Sequence, residues 1–274
     1  VPMLIGFTSS VVLGRQAERS FGGSFARAFG TSLLSMLLIC AVILLIAIEG
    51  IVCLIMAVPL AVPLDLIGAL IGVGVMRAFS NSKVGSLSVI LLIASLPFLL
   101  GFENSTRSKL TVHKVVSTVE IDAPIAEVWK NVIAFPRIEK SPEGILRAGF
   151  AYPIEAKIDG TGVGAIRYCN FNTGPFVEPI TEWQEPNLLA FDVIQQPAPM
   201  VETSPYGELH TAHLEYLRSQ KGQFRLYEND GKTVVEGTTF YIHDIAPDIY
   251  WKLYSDEIIH QIHMRGLESY KGNI

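Results

Sequence analysis

Cysteine is scarce in this chain, and charge is nearly missing from its first part. Only three cysteines occur in 274 residues. Cys40 and Cys53 lie in apolar runs and Cys169 stands alone in the polar part, so neither a disulfide framework nor a zinc-ligand spacing can be drawn from them. Up to Gly101 the charged residues are Arg15, Glu18, Arg19, Arg27, Glu49, Asp65, Arg77 and Lys83 alone. That leaves the first part at +2 and the remainder at −7, within a total of −5. An acidic second part argues against a phosphate-binding footprint, and hence against a nucleic-acid partner. No basic stretch precedes the first apolar run, VPMLIGFTSSVVLG, which at about 14 residues is short of the roughly 20 of a spanning helix. It reads as a truncated first span rather than a signal peptide.

What is present divides in two. Half of the residues are hydrophobic and the mean hydropathy is +0.39, as expected of a membrane region fused to a soluble domain. Residues 1–101 are expected to be a transmembrane helical region, 102–111 a linker, and 112–274 the soluble domain. Thr31 to Pro59 is long enough to cross a bilayer, with a turn signalled by Pro59, Pro63 and Asp65. Leu64 to Phe79, a further short or re-entrant segment, carries Gly68, Gly72 and Gly74 at spacings that let helices approach closely. Val84 to Gly101 is another apolar segment. Arg15, Arg19, Arg27, Arg77 and Lys83 favour one orientation, while Arg107, Lys109 and Lys114 favour the other, so the side of the soluble domain stays open.

From His113 the period changes. HKVVSTVEID alternates as a strand, and DAPIAEVWKNVIAF follows as a helix, with Asp122 as expected N-cap. Strand-like runs follow at about 154–158, 164–171, 176–184, 188–194, 222–228 and 233–244, separated mostly by turn residues. The tail from Ala246 to Lys271 carries a wide apolar stripe suited to a helix lying on a sheet.

The order of these elements, with DAPIAEVWKNV, GTGVGAIRYC, ITEWQEPNLLAF and GQFRLYENDGKTVVEGTTFYIH, resembles the START-like (SRPBCC) superfamily. In particular it is similar to bacterial polyketide cyclase/dehydrase-like and lipid-transport-like members. The resemblance implies an α+β helix-grip fold, in which an antiparallel curved sheet wraps a long C-terminal helix, here preceded by an all-α transmembrane region. It also implies an apolar cavity for a lipid or other hydrophobic small molecule, and a bacterial inner-membrane location. No catalytic residue set carries over, and no cofactor is implied.

Within that frame, Arg167, Asn170, Glu236, Thr238, Tyr241 and His243 interrupt apolar strand patterns and are candidate polar contacts to a ligand. Trp251 and Tyr254 are candidate apolar wall. In TGPFVEPITEWQEPNLLAFDV, Glu178 and Glu182 read as solvated strand charges rather than a catalytic pair, and QEPN as a turn. GTGVG reads as a hairpin turn, because a strand follows it where a phosphate loop would open a helix. Glu49, Cys53 and Met56 share a helical face and read as interhelical packing. The pairs His210/His213 and His260/His263 have spacings that zinc accepts, but no third ligand accompanies them, so they read as structural and no metal site is expected. The linker reaches at most about 33–36 Å, so a ligand that partitions into lipid suits the domain. Two other readings are a cyclase or dehydratase using His243 or Glu236 as acid/base, and a folded spacer that meets another membrane protein.

Overall fold

The computed structural model describes residues 2–13, 21–78, 110–204, 206–209 and 217–272. It divides into two compact units, residues 1–109 with 202–209, and residues 110–201 with 210–274.

The first unit holds helices α1 (Pro2–Leu13), α2 (Phe21–Leu45) and α3 (Ile51–Ala78), with a small hairpin of β6 (Glu202–Ser204) and β7 (Gly207–Leu209). The break in the apolar region falls at residues 46–50, not at the prolines. Ala47 adopts a left-handed φ of 54°, and the Ile48 amide reaches back to the Ile43 carbonyl at 3.1 Å, which ends α2. Pro59 and Pro63 lie inside α3. Each removes one amide donor, toward Ile55 and Pro59, and the rest of the helical ladder carries on through them. The separate segment expected at 64–79 is therefore the second half of one 28-residue helix, and Glu49 sits in the turn ahead of it rather than mid-span.

α1 lies against α3 through small residues. A Cβ on Gly68 would stand 2.0 Å from the Met3 carbonyl oxygen, and one on Gly6 2.1 Å from that of Asp65. Only glycine permits backbones this close. Gly74 faces open space. Ser10 Oγ donates to the Ala69 carbonyl at 3.0 Å, and Ser32 Oγ to the buried Asp65 carboxylate at 2.7 Å. The segment 84–101 lies outside the described residues.

The second unit is α+β. Seven antiparallel strands run in the order β1-β9-β8-β5-β4-β3-β2: β1 His113–Ile121, β2 Pro153–Asp159, β3 Ile166–Phe171, β4 Gly174–Gln184, β5 Leu188–Asp192, β8 Leu217–Asn229 and β9 Lys232–His243. α4 (Ile125–Ile133) follows β1, a 3-10 turn spans Gly144–Ala148, and the long α5 (Asp248–Gly272) closes the chain. This is the curled sheet gripping a C-terminal helix that the sequence order implied.

β1 alternates strictly between buried and exposed, so one face points to the core. Val119, Ile121, Val128, Trp129, Leu189 and Leu267 belong to one cluster between the sheet and the helices. α4 starts after Pro124, whose carbonyl accepts from Glu127 and Val128. No side chain caps it, so Asp122 does not serve as the expected N-cap. The GTGVG segment joins β2 to β3, with positive φ at Gly160, Gly162 and Gly164, and it is a hairpin turn. The β6–β7 hairpin and the 3-10 turn had no counterpart in the sequence pattern.

Candidate functional site

The turn between β3 and β4 is two residues, Asn172 and Thr173, with Phe171 paired to Gly174. Counting outward from it sets Cys169 opposite Phe176 and Arg167 opposite Glu178. With a period of two, Arg167, Cys169 and Phe171 share the core-facing side with Phe176 and Glu178. These side chains line a cavity of about 110 Å³, together with Phe191 of β5, Phe224 of β8 and Thr238 of β9. Across from them, α5 presents Ile259, Ile262, His263, Leu267 and Tyr270.

Glu178 is therefore not a solvated strand charge. It is 6% exposed and forms an ion pair with the Arg167 guanidinium. A register shift between Ile180 and Glu182 changes the facing. Glu178 and Ile180 are buried, while Glu182 is half-buried and accepts from Gln184 at 2.6 Å. The two glutamates share a strand but not a face.

Arg167 also donates through Nε to the Ile133 carbonyl at 3.1 Å, and its guanidinium lies 5.5–5.9 Å from the ring centroids of Phe135, Phe191 and Phe224. Among the described residues its bonds to Ile133 and Glu178 use two of its five N–H donors, and the Cys169 sulfur beside it is a weak third partner. Burial is the largest influence on Arg167 and opposes its charge, but Glu178 together with Cys169 and Tyr270 more than offsets it, so the pKa rises. For Glu178, burial pushes the carboxyl up while Arg167 pulls it back. Burial pushes the Cys169 thiol up to about 12, so it is a neutral part of the wall. The Thr238 hydroxyl is fully buried and has no hydrogen-bond partner among the described residues.

Space in the cavity depends on Gly222, which faces Phe191 across the β5–β8 ladder. A Cβ there would meet Phe191 Cζ at 2.4 Å, so the ring lies over the glycine.

Beside the cavity runs a polar seam between β1, β9 and α5. Ser117 Oγ meets His260 Nδ1 at 2.7 Å and His263 Nδ1 at 3.0 Å, and His263 Nε2 meets Thr239 Oγ1 at 2.7 Å. Burial, and then the neighbouring His260, lower the His263 pKa to about 4. Both nitrogens of His263 and Nδ1 of His260 are thus taken up by serine and threonine. His210 and His213 lie outside the described residues.

Of the candidates named from sequence, Arg167 and Thr238 line the cavity. The others lie elsewhere. Asn170 is half-buried and donates to Glu155 at 3.0 Å, and Glu236 pairs across the ladder with Thr118 and Arg225. Tyr241 donates to Asp256 at 2.6 Å, and His243 stacks on His113 with ring centroids 5.0 Å apart. Trp251 and Tyr254 cluster with Tyr250 near the start of α5, whereas the cavity lies under Ile259 to Tyr270. Sequence reasoning missed Glu178, and the signal that finds it is the two-residue turn, since counting back from Asn172-Thr173 places it opposite Arg167.

No protein-family model matches the chain, and no curated protein does either. Solved structures similar to it include an uncharacterised protein from Bacillus thuringiensis, at 13% identity over 59% of this chain and 98% of that one, with a TM-score of 0.39. Truncated norcoclaurine synthase from Thalictrum flavum gives 12% identity over 60% of this chain and 96% of that one, with a TM-score of 0.35. The Aha1 dimer from Colwellia psychrerythraea gives 13% identity over 56% and 93%, with a TM-score of 0.30.

Proposed function

We propose that this protein is a membrane-anchored binder of a hydrophobic small molecule or lipid carrying a hydrogen-bonding oxygen. The observation that carries the reading is an aromatic-walled cavity holding two buried polar groups with capacity to spare, the Arg167 guanidinium and the orphaned Thr238 hydroxyl. A buried hydroxyl left unpaired costs about 1–3 kcal/mol. A ligand carbonyl, carboxylate or hydroxyl reaching it would recover that cost while the rest of the ligand covers the rings. The volume sets a limit. At about 110 Å³ the cavity is below the roughly 300–1,000 Å³ of drug-sized sites, so it takes one compact moiety or a ligand end unless α5 shifts outward.

Membrane anchoring is supported by length and exposure. Gly22–Leu45 and Ile51–Ala78 are long and apolar enough to cross a bilayer, and only 11% of each window is buried. Leu37, Leu38, Val42 and Ile55 are more than half exposed. The core helix of a water-soluble domain would cover such a face, and lipid does so equally well. The cyclase reading has less support, since neither His243 nor Glu236 lines the cavity.

The test is native mass spectrometry of the detergent-purified chain, with lipid extraction in parallel. One apolar, oxygen-bearing molecule per chain is expected, with retention reduced about tenfold by Thr238→Val. A folded parent that carries nothing and takes up nothing from a broad panel of lipids and aromatic polyketide-like compounds would reject the binding role. Release from membranes by alkaline carbonate would reject the anchor.

A further inference from the structure

His113 and His243 are 130 residues apart in sequence, but the ladder makes them diagonal neighbours. His113 pairs with Tyr241 at the free end of the β1–β9 ribbon, and His243 lies two residues beyond on the same face. Asp248, in the first turn of α5, points back at both. Its Oδ1 is 2.9 Å from His113 Nε2 and 3.4 Å from His243 Nε2. The three ligand atoms all lie within 4.8 Å of one another.

Hydrogen bonding explains only part of this arrangement. His113 is satisfied by Asp248. The His243 side chain is 1% exposed, and neither ring nitrogen makes a well-formed hydrogen bond among the described residues, the Ile245 backbone being its other polar neighbour besides Asp248. Its Nε2 lies 3.4 Å from the same oxygen that His113 already holds, without hydrogen-bonding geometry. A buried imidazole without a well-formed hydrogen bond, beside a carboxylate and a second imidazole, leaves ligand capacity that an ion among the three would use.

The geometry points to a divalent transition-metal site, of the zinc or cobalt(II) class, formed by His113, His243 and Asp248. The separations fit. A point equidistant from the three atoms lies at most about 2.4 Å from each, against about 2.0–2.2 Å for zinc bonds to imidazole and carboxylate, so a few tenths of an ångström of contraction suffices. Two imidazoles and one carboxylate also match the ligand preference of such ions rather than of calcium or magnesium, which take oxygen donors. Three protein ligands leave a fourth position. Asp248 is 52% exposed while both histidines are buried, so water fills it from the Asp248 side. The ion joins the first residue of β1, the last of β9 and the start of α5, the helix that closes the cavity. It therefore pins that helix to the sheet, and its presence does not depend on what the cavity binds.

The test uses the full chain in detergent, stripped with a chelator and titrated with zinc and, separately, cobalt(II). One equivalent of zinc per chain is expected at this site by elemental analysis, with a tetrahedral cobalt(II) spectrum lacking thiolate charge transfer. The latter separates it from the second group of possible ligands, Glu49, Cys53 and Glu202 of the first unit. Zinc at a hundredfold excess over its Kd should raise the Tm by about 5 °C or more. His243→Ala and Asp248→Asn should each lose that equivalent, and the second alters an exposed side chain, so a folded comparison is secured even where the first unfolds. His210→Ala/His213→Ala should keep it. A folded parent that takes up no metal overturns the proposal, as does zinc retained in full by folded Asp248→Asn, or zinc lost from the His210/His213 variant.

Discussion

Separating the two members of the buried Arg167–Glu178 pair should expose an asymmetry between them. Both side chains are under a tenth exposed. At an effective dielectric of about 20, unit charges about 4 Å apart attract by roughly 4 kcal/mol, in line with the roughly 3–5 kcal/mol lost when one partner of a buried pair is removed. Glu178→Gln keeps the volume and leaves the guanidinium in place. Arginine cannot release its proton, and the three phenylalanine faces around it are the same before and after, so nothing new offsets the loss. We expect about 3–5 kcal/mol of destabilisation. Arg167→Met should cost less. Burial already pushes the Glu178 carboxyl up, and with its partner gone it can take a proton and become neutral. That variant then acquires a pH dependence of definite sign. A carboxyl whose folded pKa is above its unfolded value stabilises at low pH and loses the contribution as pH rises through the folded pKa, so Arg167→Met should be firmer at pH 5 than at pH 8. Arg167→Met/Glu178→Leu, with no charge left to bury, should recover to near the parent. Urea unfolding followed by tryptophan fluorescence reads all four proteins, since Trp129 and Trp183 pack edge to face in the same core at 5.8 Å. A Glu178→Gln variant within about 0.5 kcal/mol of the parent, or an Arg167→Met variant that is the weaker of the two singles at pH 5, would refute the reasoning.

Two further outcomes follow from the same core. Because His263 is held neutral with a pKa near 4 and an unfolded histidine titrates near 6.5, the unfolded state takes up the proton first as pH falls. Stability contributed by this residue is complete above about pH 6.5 and declines toward pH 4, by up to about 3 kcal/mol; His263→Gln should flatten that slope in chelator-treated protein, and an unchanged slope would assign it elsewhere. Gly222→Ala places a methyl where the Phe191 ring lies and should drive the ring into the cavity, costing about 1–3 kcal/mol and reducing ligand occupancy in native mass spectra, whereas unaltered stability and occupancy would mean that the ring does not set the cavity's size.

Much of the second unit was legible because its signals are local. The alternation of HKVVSTVEI and the turn residues between runs placed β1, most of the meander and α5 within a few residues of where they lie. The site was less legible because it depends on register. Arg167 and Thr238 were recognisable as polar breaks in apolar strands, but so were Asn170 and Glu236, and only the pairing decides which ones face inward. The apolar stripe of α5 shows which side meets the sheet, not which turns cover the cavity, so Trp251 and Tyr254 were singled out as apolar wall where Leu267 and Tyr270 provide it. Glu178 was misread because a carboxylate in an alternating strand normally faces water, and its compensating charge lies on the neighbouring strand. In the first unit, proline was given too much weight as a helix terminator. The actual break at 46–50 has no strong sequence signal: it is set by a left-handed alanine and by Gly50, whose missing side chain leaves room for Glu202, far along the chain.

That last contact belongs to the hairpin of residues 202–209, which is grouped with the apolar helices although it is encoded between β5 and β8. The chain consequently passes from one unit to the other three times rather than once. A gene rearrangement that exchanged either unit for a homologous one would need matched breakpoints near 109, 201 and 210, and a single crossover would pair helices from one parent with a hairpin from the other. Gly50 and Glu202 would then meet partners they were not selected with. The two units are thereby constrained to be inherited together.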